Sequence, residues 1–220
     1  MSQITNGKTA KNPIEIPKLI YIGDPMCSWC WGISEQLEKL LHYFNGQFSV
    51  ELIMGGLRIG SGQIWDEQFK QFLEHHWSQV SEASGQEFNF NLLDLDAFDY
   101  NTEPSCRAVR VVRDLNPNLE FQFFRSIQYN FYVKNEDPTR IEFYLPVCRL
   151  LGIDFERFSE LFASDQYITL THQDFMKSRR LGVTGYPTLL LQDSNEYNII
   201  TTGFARFEGM KSTIEGFLDH

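Results

Sequence analysis

The chain has 220 residues, 42% hydrophobic and 15% aromatic, which suits one large domain or a domain carrying a big insertion and excludes a disordered polymer. Its 19 basic and 29 acidic residues give a formal net charge of -10, a field that repels phosphate backbones and anionic membranes and sets nucleic acid aside as a partner. Cysteines at 27, 30, 106 and 148 are too few for a disulfide scaffold.

Residues 1–16 read as a flexible tail, polar and without the apolar core of a signal peptide. No apolar run reaches the length of about 18 residues that a membrane span needs. The expected compartment is therefore the cytoplasm. There, a lone Cys-x-x-Cys is more often catalytic or metal-binding than structural.

Residues 18–22, Lys-Leu-Ile-Tyr-Ile, read as a buried strand that Gly23-Asp24-Pro25 breaks. Ile33, Leu37, Leu40, Leu41 and Phe44 recur at helical spacing, so a helix is expected over 28–44, ended by Asn45-Gly46. Residues 48–54 alternate and read as a second strand, closed by Gly55-Gly56. Together these form a βαβ unit with a Cys-x-x-Cys at the strand-to-helix junction. The middle, about 63 to 177, is expected to be helical, with helices over 63–81, 103–116, 119–132, 141–151, 155–163 and 171–181. Pro104 fits a helix first turn. Strands return at 188–192 and 197–202, separated by the turn signal Asp193-Ser194-Asn195, and a helix over 207–218 closes the chain.

The expected fold is α/β. Splicing out the middle leaves βαβ followed by ββα, the order of a thioredoxin core. The expected organisation is a discontinuous domain of 17–61 and 178–220 holding an all-helical insertion of 62–177.

Thiol–disulfide exchange needs one thiolate to attack and a second thiol near enough to resolve the mixed disulfide. At a helix start, Cys27 sits at the positive end of the helix dipole, which favours its thiolate, and Cys30 lies about one turn on. Cys27 is thus the expected nucleophile and Cys30 the resolving thiol. Zinc would need two further ligands with similar pairing; Cys106 and Cys148 stand alone, and His75-His76 cannot both face one metal, so no metal is expected. A second marker is Gly182-Val183-Thr184-Gly185-Tyr186-Pro187-Thr188. A proline at the start of a central strand cannot donate to the ladder, and a cis Tyr186–Pro187 bond would turn the backbone towards Cys27.

Residues 24–32, Asp-Pro-Met-Cys-Ser-Trp-Cys-Trp-Gly, with Thr102-Glu103-Pro104-Ser105-Cys106-Arg107-Ala108 and the 182–188 motif, resemble the DsbA-like thioredoxin family, most closely its signal-less branch of protein-disulfide isomerases related to FrnE. The resemblance runs from about Leu19 to the C-terminus. It implies a thioredoxin fold with a large all-helical insertion, dithiol chemistry at Cys27 and Cys30, and a cis proline at Pro187, with the backbone of Tyr186 pairing to an extended substrate. The segment between the cysteines is Ser28-Trp29, without the histidine of periplasmic members. A less oxidising couple is therefore expected.

Met26, Trp29, Trp31 and Tyr186 are candidates for an apolar rim around Cys27, with Trp29 exposed and Trp31 packed inward. Cys106 and Cys148 read as small buried apolar residues, and Asp24 as a turn-forming residue ahead of proline. The expected partners are protein thiols and disulfides, with glutathione as a redox partner and no bound cofactor. Monomer and homodimer both fit. Two other functions compete. One is a glutathione-dependent small-molecule transferase or isomerase, of the kappa-class or 2-hydroxychromene-2-carboxylate isomerase type; such enzymes typically carry serine at the position of Cys27. The other is a redox-sensing adaptor or binding module.

Overall fold

A computed structural model of the chain describes residues 16–60, 62–194 and 196–218. The expected tail lies outside these residues, apart from Ile16. In chain order the elements are β1 (Lys18–Gly23), α1 (Ser28–Tyr43), β2 (Ser49–Met54), α2 (Glu67–Ser84), α3 (Glu103–Leu115), α4 (Glu120–Tyr132), α5 (Tyr144–Leu151), α6 (Phe155–Phe162), α7 (Asp165–Arg180), β3 (Thr188–Asp193), β4 (Glu196–Thr202) and α8 (Phe207–Leu218).

The strands form one sheet in the order β2-β1-β3-β4. β1 and β2 run parallel, with Leu19 beside Val50 and Tyr21 beside Leu52. β3 runs antiparallel to β1 and to β4, with a register shift between Leu189 and Leu190 on the β4 side. Because side chains alternate across a strand, Leu19 and Tyr21 join Leu52, Leu189 and Leu191 in one core, whereas Ile20 and Ile22 join Ile53 and Leu190 in another. β1 is thus buried on both faces, which is why its sequence is a continuous apolar run and not an alternating one. A third cluster gathers Met26, Trp31, Phe69, Trp77, Tyr100, Phe131 and Tyr132 between the head of α1 and the helices that follow β2.

Helix boundaries follow caps more than periodicity. α2 begins four residues after the expected 63, where the Asp66 carboxylate accepts from Phe69 N–H at 2.9 Å, and ends at Gly85, whose φ of +79° only glycine adopts without strain. α7 begins at Asp165, six residues before the expected start. Its threonines look strand-like, but Thr171 donates back to the Tyr167 carbonyl at 2.7 Å and both residues are buried inside the helix. The expected helix 141–151 divides into a 3-10 turn, Ile141–Phe143, and α5. A further 3-10 segment, Phe90–Asp94, falls where no element was expected.

Arg113 on α3 fastens the helices to the sheet. Its Nε donates to Glu120 Oε1 at 2.5 Å, and its Nη2 donates to Leu52 O at 2.6 Å and to Asp174 Oδ2 at 2.8 Å. Asp174 in turn accepts from Met54 N–H at 3.1 Å. One guanidinium thereby joins α3, the start of α4, α7 and β2. Arg113→Ala strands two largely buried carboxylates and is expected to lower unfolding stability by about 3–5 kcal/mol in urea titrations. A loss under about 1 kcal/mol would show that water replaces the guanidinium there.

Candidate active site

The loop between β1 and α1 is held by Asp24. Its Oδ1 accepts from Met26 N–H at 2.9 Å, as expected of a turn-forming aspartate. Its Oδ2 reaches outward, accepting from Leu57 N–H and the Thr102 hydroxyl, each at 2.7 Å, and from the Cys106 thiol at 3.4 Å. The carboxyl is completely buried. Burial pushes its pKa up, against the downward pull of these donors. Tyr100 adds a second prop, its hydroxyl donating to Met26 O at 3.0 Å.

Cys27 follows directly as the N-cap of α1, with extended backbone (φ -91°, ψ 116°), and its side chain makes no capping bond. Its carbonyl accepts from Trp31 N–H at 3.0 Å, so the sulfur stands at the mouth of the first helical turn while the backbone opens the helix. Cys30 lies one turn on and is wholly buried. All four cysteines are free thiols. Burial, then the hydrogen bond to Cys27, pushes the Cys30 thiol well up. The Tyr21 side chain is buried beside the two cysteines, and its pKa is raised, by burial first and then by the negative charge they can carry.

The Tyr186–Pro187 peptide bond is cis. The Cys27 thiol donates to Tyr186 O at 3.6 Å across 159 residues of sequence. Tyr186 is fixed in turn by its hydroxyl, which donates to Gly55 O at 2.6 Å. Gly55 permits this approach: a Cβ there would stand 2.4 Å from the Tyr186 ring. Gly55→Ala must therefore move the ring, and with it the carbonyl facing Cys27. Disulfide exchange is expected to fall about ten- to a hundredfold with the far-UV circular dichroism retained. An unchanged rate would show that Tyr186 does not position Cys27.

Ser28 and Trp29 are half-buried beside Cys27, and the Trp29 ring leans on Phe204 at 6.1 Å between centroids. Pro187 is buried and Tyr186 half-buried. Met26 corrects the expectation of an apolar rim. Its side chain is fully buried in the aromatic cluster with Trp31, because the Asp24 turn and the Tyr100 bond point it inward, so it presents nothing to a substrate. Trp31 packs inward as expected, donating from Nε1 to Glu87 O at 3.0 Å. Cys106 and Cys148 are both buried. Tyr21, Gly55 and Tyr100 were not anticipated. Thr102 was read as part of a helix start, yet it makes no side-chain cap and its hydroxyl serves Asp24. Among the described residues no three His, Cys, Asp or Glu side chains are grouped as a metal would require. No helix among them is long and apolar enough to cross a membrane.

A dithiol heading the first helix of a four-stranded mixed sheet, with a helical insertion between β2 and β3, defines a thioredoxin-like protein of the thiol–disulfide oxidoreductase class. The family model described as thioredoxin matches residues 20–212, and the chain belongs to the DsbA-like thioredoxin family. It is similar to a candidate protein disulfide isomerase from Nitrosomonas europaea, with 32% identity and a TM-score of 0.86 over 93% of this chain and 98% of that one. It shares its fold with the cytosolic disulfide reductase DsbM from Pseudomonas aeruginosa (21% identity, TM-score 0.76, 92% of this chain and 98% of that one), a protein also solved with GSH. Among curated proteins it is similar to the ClpXP adapter protein SpxH of Bacillus subtilis, 21% identical over 180 residues, or 81% of this chain. The chain spans 58% of the length of that relative.

Proposed function

We propose that the chain is a protein thiol–disulfide oxidoreductase or isomerase working through Cys27 and Cys30 in the cytoplasm. The observation that carries this reading is the Cys27 sulfur at the α1 cap, 3.6 Å from the carbonyl of Tyr186, with a second thiol one turn behind it. The Cys27 thiolate attacks one sulfur of a substrate disulfide. That S–S bond breaks, and the departing sulfur leaves as a thiolate that takes up a proton. Cys30 then loses its proton and attacks Cys27, forming the Cys27–Cys30 disulfide and freeing the second substrate thiol. Two glutathione molecules, oxidised to glutathione disulfide, restore the dithiol.

The backbone of Tyr186 would pair with an extended substrate, flanked by Ser28 and Trp29. Without a histidine between the cysteines the couple is less oxidising than that of histidine-bearing relatives, which suits reduction or isomerisation in a reducing compartment. Insulin reduction by the full chain with glutathione as donor tests this reading, and absence of turnover in a folded chain overturns it. The similarity to ClpXP adapters favours an adaptor as the second reading. A folded, inactive chain that accelerates ClpXP proteolysis of a bound protein would decide for it.

A further inference from the structure

The two edges of the sheet are finished differently. On β2 the outer groups are occupied: Leu52 O accepts from Arg113 Nη2 at 2.6 Å, and Met54 N–H donates to Asp174 Oδ2 at 3.1 Å. β4 has no such cover. Asp193 and Glu196, paired across a two-residue turn, form a bonded pair, and bonded and non-bonded pairs alternate from there. Asn198 therefore bonds to Leu191, whereas Tyr197 and Ile199 turn their N–H and C=O groups away from the sheet. Among the described residues nothing meets those outward groups. Both side chains stand on the Leu190 face, Tyr197 50% and Ile199 64% exposed. An open edge of this kind is a template for another strand.

We infer that this edge is a homodimer interface: β4 of a second copy adds antiparallel to it, each Tyr197 opposite Ile199 of the other copy, to make one eight-stranded sheet about a twofold axis at Asn198. In this register the outward groups of each Tyr197 meet those of an Ile199, so the whole edge is bonded by its own kind. Each tyrosine ring also gains a β-branched neighbour, a favourable cross-strand pair. Charge favours a second copy despite the net -10, because Glu196 is the only charge on β4 and the axis keeps its two copies about 14 Å apart. α8 covers the other face of β4, where Met210 and Ile214 share a core with Ile200. Lys211 over the Tyr43 ring and Glu215 bonded to the Tyr43 hydroxyl mark the flank of α8 turned to α1. By helical geometry the opposite flank carries Gly209, Thr213 and Gly216, all small and uncharged. Glycine weakens a helix, and a Cβ on either glycine would meet nothing in its own chain. Close approach of the same flank of a second α8 gives both glycines a purpose. The two dithiol turns, each beside the Thr188–Thr202 end of its hairpin, face opposite ways across the axis and stay open. The interface is thus independent of the oxidoreductase reading.

Sedimentation velocity on the full reduced chain is expected to show a monomer–dimer equilibrium in the micromolar range. Ile199→Lys sets two cations across the axis and is expected to raise the dimer Kd about tenfold or more, with the far-UV circular dichroism unchanged. Gly216→Leu favours the helix but crowds its flank, so the Kd should rise while resistance to urea is kept. Asn198→Cys reads the register, in a chain whose Cys27 and Cys30 are replaced by serine. Its two copies face each other as a non-bonded pair with Cα atoms about 4.5 Å apart, within disulfide reach. Mild oxidation is expected to link them. Thr202→Cys in the same background, its copies about 27 Å apart along the strands, is expected to stay unlinked. A chain that is monomeric at about 100 µM overturns the interface and leaves the edge to an extended peptide. A dimer indifferent to Ile199→Lys, or equal linking from 198 and 202, overturns it as well. A dimer indifferent to Gly216→Leu overturns the part given to α8.

Discussion

Cys27→Ser is expected to lower insulin reduction by at least about 10³-fold while leaving the fold intact. An alcohol is a poor nucleophile at neutral pH where a thiolate is a strong one, and loss of a nucleophile commonly costs this much or more. The replacement is nearly isosteric in a site that is 4% exposed, so little packing changes. Cys30 cannot take over, because it is fully buried and its thiol is held well up, first by burial. Cys30→Ala should leave the first attack intact and accumulate a mixed disulfide on Cys27, visible as an added mass that reductant removes. In the unaltered chain the resolving step should quicken by up to about tenfold per pH unit as Cys30 ionises, which a stopped-flow pH series reads directly. Turnover that survives Cys27→Ser and requires glutathione would place the chain with the small-molecule transferases.

Asp24→Ala should be the most damaging single change to stability near the site, at about 3 kcal/mol or more in urea titrations. It leaves the Met26 and Leu57 N–H groups without their acceptor, the first of them buried, and leaves the Thr102 hydroxyl only the Arg58 carbonyl. Asp24→Asn keeps the shape, removes the charge and turns one accepting oxygen into a donor. Burial raises the carboxyl pKa in the folded chain above its unfolded value, so the native state holds the proton more tightly. The stability this contributes is full below the unfolded carboxylate pKa, about 4, and is lost as pH rises through the raised folded value. The Asn variant lacks that dependence. Its deficit against the unaltered chain should be largest in acid and shrink as pH rises. A pH-independent deficit would show that Asp24 titrates alike folded and unfolded. Because the charge of Asp24 also helps hold the Cys30 thiol up, Asp24→Asn should speed resolution at neutral pH.

The elements that place the chemistry were legible because each rests on local signals. The apolar run of 18–22, the helical spacing from Ile33 to Phe44 and the closing Gly55-Gly56 are enough to set a Cys-x-x-Cys at a helix start. Pro187 was legible because a proline there contradicts a strand. Asp24 was only half legible. Its bond to Met26 is a local turn, but its bonds to Leu57 and Thr102 span 33 and 78 residues, and nothing beside it in sequence announces them. Met26 was misplaced for the same reason, since its burial is decided by the distant Tyr100. Gly55 could have been singled out, because a paired glycine after a strand invites a close approach; which ring approaches is settled only in three dimensions.

The chain departs from the sheet at Met54 and is tied back to that same residue through Asp174, a neck whose two sides lie 120 positions apart in sequence. A graft or excision at such a neck would look harmless to the sheet, yet the loop also touches the dithiol turn, where Thr102 and Tyr100 prop Asp24 and Met26. Cutting it away would not yield a miniature redox protein. The two halves can diversify only in step, each substitution in the looped-out helices being vetted by the turn that presents the sulfur.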